Sequence, residues 1–373
     1  MTSAPHSEPL GLVVGARPNT MKAAPLLRAL EAAGHRTLLL HTGQHRDPAL
    51  SGELFAQLGL RSPDLVLCPG PERPSFEAML AATARWCREV RPRALVVFGD
   101  VDSTAAAALG AHRAETPVVH AEAGLRSFDR SMPEEVNRIL ADAVSSLLLA
   151  SEPAGLRNLE REGRRPDEMV LVGNLMIDTL EAFREDASRA PLPEVLRPLL
   201  AAPFGLLTLH RPANVDTAAA LRAWRELLAP VAARIPLVFP VHPRTARSLD
   251  LHRERAAWER IPGLTLLPPL GYLQCLRLQS QARLVLTDSG GVSEEASVLD
   301  TPCLVLREHT ERPITVERGT ALLVGRDRAA LERGVELALA GRFPRRGGIE
   351  LWDGRAAPRA VRAVEGFLAR LSS

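Results

Sequence analysis

The chain has 373 residues, more than a single hydrophobic core usually organises, so we expect two domains. Hydrophobic residues make up 46% and charged residues 24%, which is typical of a globular protein. The formal net charge of +2 argues against a nucleic-acid surface or a strongly acidic partner.

Short apolar segments alternate with amphipathic helical stretches along the chain. The segments are continuously hydrophobic, which is typical of strands that are buried on both faces of a parallel sheet covered by helices. The sequence thus predicts an α/β protein with two parallel sheets of about five or six strands each. In chain order, the apolar segments span 10–14, 37–41, 94–98, 117–120, 146–150, 204–209, 236–240, 264–268, 283–287 and 302–306.

A domain boundary is predicted within 181–203, which is charged and then rich in proline before the next apolar segment. It separates an N-terminal domain, residues 1–180, from a C-terminal domain, residues 181–356. The last amphipathic stretch, 357–373, is expected to pack back on the N-terminal domain. Ligands of open parallel sheets bind beyond the carboxyl ends of the strands, so the cleft between the domains is the expected site.

The cysteines and the N-terminus indicate the compartment. The cysteines are far apart and form no CxxC pair, so neither a zinc site nor a redox motif is predicted. The N-terminus MTSAPHSEP has no apolar signal-peptide region, and no stretch approaches the roughly 20 apolar residues of a membrane span. We expect a cytoplasmic protein that binds neither a metal nor a membrane. The cysteines are Cys68, Cys87, Cys275 and Cys303.

The first strand runs into GARPNTMK, residues 15–22, where a glycine turn precedes a predicted helix. Arg17 and Lys22, the single lysine of the chain, flank the start of that helix. Free N–H groups, the helix dipole and two cations together make an anion site. An ordinary strand–helix turn with solvated charges explains the pattern equally well.

Carboxylates follow the next strands of the first domain. GDVDST places Asp100 after one strand, HAEAGLR places Glu122 after the next, and PEE places Glu134 and Glu135 at a helix start. Helix capping and ion pairing are the alternative explanation, which we favour for Glu135. Acids on adjacent loops beside a cationic site fit general acid–base catalysis better.

Strand ends of the second domain carry the remaining candidates. In LHRPANVD, His210 and Arg211 follow a strand, and VHPR repeats the pattern with His242. TDSGGVSEEAS combines small residues at a helix start with acids, a pattern that suits a diphosphate and a ribose diol. An ordinary serine N-cap is the alternative there, and surface ion pairing is the alternative for REHTERP. The further candidates are Ser289, Gly290, Gly291, Glu295 and Arg312.

In this order, the motifs resemble those of the non-hydrolysing UDP-N-acetylglucosamine 2-epimerases. The match begins at GARPNTMK and TGQHR and continues through GDVDST, HAEAGLRS, MPEEVNR and VGNLMIDTL. It then runs through LHRPANVD, FPVHPR, LTDSGGVSEEA and REHTERP to WDGRAA, nearly the whole chain. The resemblance implies two Rossmann-like domains facing a central cleft, as in GT-B glycosyltransferases.

The resemblance also implies a reaction and the residues that perform it. UDP is eliminated to give 2-acetamidoglucal and adds back, which interconverts UDP-N-acetylglucosamine and UDP-N-acetylmannosamine. No cofactor is required, and a homodimer that supplies cell-surface polysaccharide synthesis is expected. The catalytic residues would be Asp100, Glu122, Glu134 and His210. The residues that bind UDP and its diphosphate would be Arg17, Lys22, Ser289, Gly290, Gly291, Glu295 and Arg312. A second, allosteric UDP-N-acetylglucosamine would contact Gln44, Arg211 and His242.

Several alternatives share this pattern. A related subgroup acts on a UDP-2,3-diacetamido glucuronic acid, whose carboxylate Arg126 or Arg130 would bind. A hydrolysing 2-epimerase would release N-acetylmannosamine and UDP. A GT-B glycosyltransferase would not need the acids, and a nucleotide-sugar sensor would bind without turnover.

Overall fold

A computed structural model of the chain describes residues 8–44, 54–344 and 347–371. These residues form two compact units. The first contains the described residues up to Glu181 and those from Glu350 onwards, and the second spans Ala182–Ile349. Within the described ranges, no helix is long and apolar enough to cross a membrane.

The first unit is built on a parallel sheet of seven strands in the order β3-β2-β1-β4-β5-β6-β7. The strands are β1 Leu10–Val14, β2 Thr37–His41, β3 Leu65–Val66, β4 Ala94–Phe98, β5 Val118–Ala123, β6 Leu147–Ala150 and β7 Met169–Leu171. The α-helices span Arg17–Ala32, Phe76–Val90, Asp102–Arg113, Pro133–Val144, Pro153–Arg161, Leu175–Arg189, which contains the unit boundary, and Ala356–Leu371. Pro166–Glu168 forms a 3₁₀ turn.

The second unit repeats the same winding with six parallel strands in the order β10-β9-β8-β11-β12-β13. The strands are β8 Gly205–Thr208, β9 Leu237–Pro240, β10 Leu264–Leu267, β11 Leu284–Thr287, β12 Cys303–Val305 and β13 Ala321–Leu323. The α-helices span Pro212–Val215, Ala218–Ala232, Pro243–Leu251, Arg255–Glu259, Tyr272–Gln281, Gly290–Val298, Pro313–Glu317 and Arg328–Leu339. Glu194–Leu196 and Leu199–Ala201 are 3₁₀ turns.

The fold prediction of two parallel α/β sheets is confirmed, and all ten apolar segments form strands. The strands that the sequence did not reveal are β3, β7 and β13. They have two or three residues each and lie at sheet edges. An edge strand has a neighbouring strand on one side only, so its side chains need not all be apolar. The first sheet consequently has more strands than the five or six predicted.

The C-terminal helix Ala356–Leu371 completes the core of the first unit. Its apolar face, including Val364 and Phe367, is buried in the same cluster as β1 and Leu26 of the helix Arg17–Ala32. The Asp178 carboxylate caps this helix by accepting hydrogen bonds from the backbone N–H groups of its first two residues at 2.9 and 2.7 Å. Capping satisfies donors that the helix itself leaves unpaired.

Each sheet has a switch point, where the connections leave neighbouring strands in opposite directions. It lies between β1 and β4 in the first sheet and between β8 and β11 in the second. The loops after these strands diverge and leave room for a ligand at the carboxyl edge. The motifs GARPNTMK and GDVDST follow β1 and β4, and LHRPANVD and TDSGGVSEEAS follow β8 and β11.

Candidate functional site

The turn after β1 is tied to the end of β4. The Asn19 side chain accepts a hydrogen bond from the Ala16 N–H at 3.2 Å and donates one to the Phe98 carbonyl at 2.6 Å. A Cβ at Gly15 would lie 2.4 Å from two hydroxyl oxygens, so this turn requires glycine. Arg17 begins the helix and is exposed, where it can meet an anion at the helix N-terminus.

Lys22 is buried and forms an ion pair with Glu122, across a sequence separation of 100 residues. The side chains are 9% and 7% exposed, respectively. Gly99 lies directly beside the pair, because a Cβ added there would be 3.1 Å from the lysine Nζ. The alternative of a solvated charge is therefore wrong for Lys22. Water screens the attraction between these two charges little, and removing either partner would leave an uncompensated buried charge.

Glu122 occupies an unusual backbone position. Its φ is 72°, and the pairing of β5 with β6 shifts register between Ala121 and Ala123. This is a bulge, which bends a strand and redirects its side chain. A left-handed backbone costs a residue other than glycine about 1–2 kcal/mol. Strain of this kind concentrates at functional sites, where surrounding contacts hold it in place.

Asp100 follows β4 and its carboxylate forms an ion pair with Arg138. The Asp100 side chain is 25% exposed, so it is accessible to a substrate. Arg138 also pairs with buried Glu135, which accepts hydrogen bonds from the backbone N–H groups of Ser127 and Phe128 at 2.8 and 2.9 Å. Glu135 thus has the structural role that the sequence favoured for it.

Glu134 lies in the first turn of the helix Pro133–Val144 and is half-buried. Three residues further on, Asn137 donates hydrogen bonds to the Asp100 carbonyl and the Asp102 carboxylate, both at 3.1 Å. Asn137 therefore fixes this helix to the loop after β4. Asn137 was not predicted from the sequence, because its partners are 35 and 37 residues away.

Arg126 is not available to bind the carboxylate of a UDP-2,3-diacetamido glucuronic acid, the alternative substrate. It is buried, and its guanidinium pairs with Asp142 at 2.7 Å and with Glu162 at 2.6 Å. The prediction for Arg126 in that alternative is wrong, because neighbouring acids already occupy its donors. Arg130 is exposed.

Gln44 lies after β2 and is buried. Its side-chain oxygen accepts a hydrogen bond from the Ser103 N–H at 3.0 Å, at the start of the helix that follows Asp100. Gln44 is thereby placed at the same carboxyl edge as the candidate acids. The next two residues of TGQHR lie outside the described part of the chain.

Asp288 organises the carboxyl edge of the second sheet. Its buried carboxylate accepts hydrogen bonds from the backbone N–H groups of His210 at 3.0 Å and Arg211 at 2.9 Å, and from the Asn214 side chain at 3.0 Å. It also contacts the His210 Nδ1 at 3.0 Å. Burial opposes ionisation, but the hydrogen bond and charge of His210 hold the pKa of Asp288 below its usual range. Asp288 was not among the candidate residues predicted from the sequence.

His210 and His242 come together after β8 and β9. Their ring centroids are 5.2 Å apart. His242 caps its own helix, since its Nδ1 accepts from the Arg244 N–H at 3.1 Å. Because Nδ1 of His210 faces Asp288, its Nε2 is the nitrogen left to face a ligand.

The SGG turn opens the helix Gly290–Val298. The Ser289 hydroxyl accepts from the Val292 N–H at 3.4 Å, so the predicted alternative of a serine N-cap does operate. A Cβ at Gly290 would lie 3.2 Å from the carboxylate of Glu311. Glycine at this helix start, with Gly291 after it, allows close approach to the backbone N–H groups.

The acids and arginines around this helix are buried. Glu294 pairs with Arg312, and Glu295 accepts from Gln279 at 2.7 Å. Glu311 is only 4% exposed and forms ion pairs with Arg211 and with Arg307, the first residue of REHTERP. Surface ion pairing is therefore the wrong explanation for the REHTERP segment, because the pairing lies in the interior.

Comparison with known proteins adds the family. Residues 28–365 match the family model described as UDP-N-acetylglucosamine 2-epimerase. A UDP-N-acetylglucosamine 2-epimerase of Methanocaldococcus jannaschii is 36% identical over 342 residues, which cover 88% of this chain and 92% of the relative. A UDP-2,3-diacetamido-2,3-dideoxy-D-glucuronate 2-epimerase of Pseudomonas aeruginosa is 38% identical over 84% of this chain and 87% of the relative.

Solved structures give the same result. The crystal structure of the Methanocaldococcus jannaschii UDP-GlcNAc 2-epimerase in complex with UDP-GlcNAc and UDP aligns with a TM-score of 0.85 and 34% identity. The alignment covers 96% of this chain and 99% of that one. The Neisseria meningitidis enzyme bound to UDP-GlcNAc aligns with a TM-score of 0.82 and 25% identity, over 96% and 99% of the two chains.

Proposed function

The chain belongs to the UDP-N-acetylglucosamine 2-epimerase family, and we propose that it interconverts UDP-N-acetylglucosamine and UDP-N-acetylmannosamine without hydrolysing them. The observation that carries the proposal is the buried Lys22–Glu122 pair with Asp100 on the neighbouring strand end. One carboxylate, Asp100, thereby follows β4 and is accessible, and the other, Glu122, lies on the bulge near the end of the adjacent strand β5, where it is strained and desolvated.

The chemistry explains why this site needs acids. The C2 hydrogen is not beside a carbonyl, so direct deprotonation is very difficult. Breaking the C1–O bond sends its electron pair to the leaving UDP and makes C2–H acidic. A carboxylate takes the C2 proton, the C1–C2 double bond forms, and the product is 2-acetamidoglucal. UDP then adds back to C1 while an acid delivers a proton to the other face of C2.

In the first unit, we assign acid–base roles to Asp100, Glu122 and Glu134. Lys22 forms an ion pair with the Glu122 carboxylate and holds it at this position. With Arg17 at the helix N-terminus, it also supplies positive charge for the diphosphate that leaves.

In the second unit, we assign the binding of UDP to the SGG turn and its surroundings. His210, oriented by Asp288, presents Nε2 to the phosphate or sugar. The backbone of Ser289, Gly290 and Gly291 receives the diphosphate at a helix N-terminus. Glu295 is assigned to the ribose, and Arg312 supplies positive charge held by Glu294.

The test is incubation with UDP-N-acetylglucosamine in D₂O, followed by proton NMR. We expect UDP-N-acetylmannosamine with deuterium at C2 and no free sugar. Free N-acetylmannosamine and UDP would contradict the non-hydrolysing proposal and support the hydrolysing reaction. An unchanged spectrum would reject this substrate.

A second candidate substrate is UDP-2,3-diacetamido-2,3-dideoxy-D-glucuronate. The 38% identity to the Pseudomonas aeruginosa enzyme of that name favours it. Of the two arginines suggested for its carboxylate, only Arg130 is exposed. Comparing kcat/KM for the two nucleotide sugars, before and after Arg130→Ala, decides between them. A loss restricted to the carboxylated sugar would support the second candidate.

We further propose allosteric binding of UDP-N-acetylglucosamine at Gln44, Arg211 and His242, and a homodimeric, cytoplasmic enzyme. Arg211 and His242 follow β8 and β9, and Gln44 follows β2. A sigmoidal dependence of rate on substrate that becomes hyperbolic in Gln44→Ala would support the allosteric site. Hyperbolic kinetics in the unmodified enzyme would oppose it. Sedimentation equilibrium measures the oligomeric state.

A further inference from the structure

We propose that Asp142 and His120 are positioning residues that fix the backbone carrying both Asp100 and Glu122. This inference rests on the proposed function, because it concerns how the two carboxylates are held for epimerisation. Neither residue belongs to the acid set assigned above. Both are buried inside the first unit, at 1% and 0% exposure.

His120 links β5 to the loop that carries Asp100. Its Nδ1 lies 2.7 Å from the Asp142 carboxylate, and its Nε2 lies 2.8 Å from the Gly99 carbonyl. Each ring nitrogen therefore faces one oxygen atom, and the imidazole bridges the Asp142 carboxylate and the Gly99 carbonyl. The Gly99 carbonyl belongs to the peptide plane that leads into Asp100. His120 therefore sets the direction in which Asp100 leaves the strand.

Asp142 holds both sides of the bulge that contains Glu122. One carboxylate oxygen meets His120, two residues before Glu122. The other accepts from the Gly124 N–H, two residues after it, at 3.0 Å, and contacts Arg126 at 2.7 Å. A single carboxylate thus fixes the chain on either side of the strained residue. Without this carboxylate, fewer contacts would hold Glu122 in its left-handed backbone conformation.

The polar side-chain atoms of Asp142 and His120 are used in contacts within the protein. Both imidazole nitrogens and both carboxylate oxygens have hydrogen-bond partners within the protein. Burial opposes ionisation of Asp142, but the charges and hydrogen bonds of His120 and Arg126 lower its pKa. The pair acts on the reaction through Asp100 and Glu122, which makes its members positioning residues.

The experiment compares the unmodified enzyme with Asp142→Asn and His120→Gln in the D₂O assay with UDP-N-acetylglucosamine. We measure kcat, KM and the ratio of released 2-acetamidoglucal to epimer. Misplacing a reacting group by about 1 Å costs roughly 10²-fold in rate, so kcat should fall by about that factor with KM within about two-fold. The ratio of glycal to epimer should rise about ten-fold or more, because slower proton return lets the intermediate escape.

The product ratio separates positioning from folding. A variant that only lowers the folded fraction reduces glycal and epimer together, which leaves their ratio unchanged. Asp178→Asn is the matched control, since Asp178 is also a buried carboxylate of the first unit that accepts from two backbone N–H groups. It should destabilise the protein without changing the product ratio.

The outcomes distinguish the two proposals. If the unmodified enzyme does not epimerise the substrate, the proposed function fails and this inference fails with it. If it does epimerise, but both variants keep the unmodified product ratio or match the control, the positioning inference alone is overturned. A raised ratio in both variants, with KM preserved, supports it.

Discussion

Replacing Lys22 by methionine keeps most of the side-chain volume but leaves the Glu122 carboxylate without the ammonium group beside it. The two side chains are 9% and 7% exposed, so water can replace little of the lost interaction. Removing one partner of a buried pair typically costs about 3–5 kcal/mol. We expect Lys22→Met to lower the free energy of unfolding of the first unit by that amount.

The double variant provides the sharper test. Replacing both members of a buried pair by uncharged groups is often nearly neutral. Lys22→Met combined with Glu122→Gln should therefore be more stable than Lys22→Met alone, by about 2 kcal/mol or more. For a unit of roughly 150–250 residues, 1 kcal/mol shifts Tm by about 2–4 °C, so Lys22→Met alone should lower Tm by about 6–20 °C.

Urea and thermal unfolding at pH 7, followed by circular dichroism, measure the two single variants and the double variant. The two units can unfold separately, so the transition of the first unit must be resolved before energies are compared. Strictly additive effects, with no recovery in the double variant, would refute the reasoning. So would a Lys22→Met protein within 1 kcal/mol of the unmodified one.

Three further predictions concern the surroundings of these sites. The pKa of Asp288 is lowered in the folded state, so its ionised carboxylate stabilises the protein above about pH 4. This stabilisation is lost as the pH falls through the folded-state pKa. Asp288→Asn should therefore flatten the fall of Tm between about pH 5 and 3. Gly99→Ala should cost about 1–2 kcal/mol in urea unfolding, because φ there is 63°, and should lower kcat because the new methyl group crowds Lys22. Asp178→Ala should cost about 0.5–2 kcal/mol and speed hydrogen exchange in Ala356–Leu371; unchanged exchange would contradict the capping role of Asp178.

The fold was predictable because buried parallel strands need continuous apolar segments. Each of the ten segments became a strand, whereas the short edge strands β3, β7 and β13 gave too weak a signal. The location of the candidate residues at the carboxyl edges also followed from the sequence. Once strand ends are known, the winding of a parallel sheet places the loops that follow them at one edge.

The partners within each site were not predictable. Lys22 was predicted to bind a diphosphate, and the structure adds its ion pair with Glu122, 100 residues away. Arg126 was one of two arginines suggested for a sugar carboxylate, although in the structure it pairs with Asp142 and Glu162. Asp288 was overlooked because an aspartate after a strand resembles any loop residue until its donors are known.

The sequence by itself determined the α/β class, the order of the strands along the chain and the residue types that reach the carboxyl edges, because these depend on local hydrophobicity and turn chemistry. Only the tertiary structure decided which charges are buried together and which backbone positions are strained. The left-handed backbone of Glu122 and its pairing with Lys22 arise from contacts between distant segments. Such contacts depend on three-dimensional packing, which no periodicity in the sequence records.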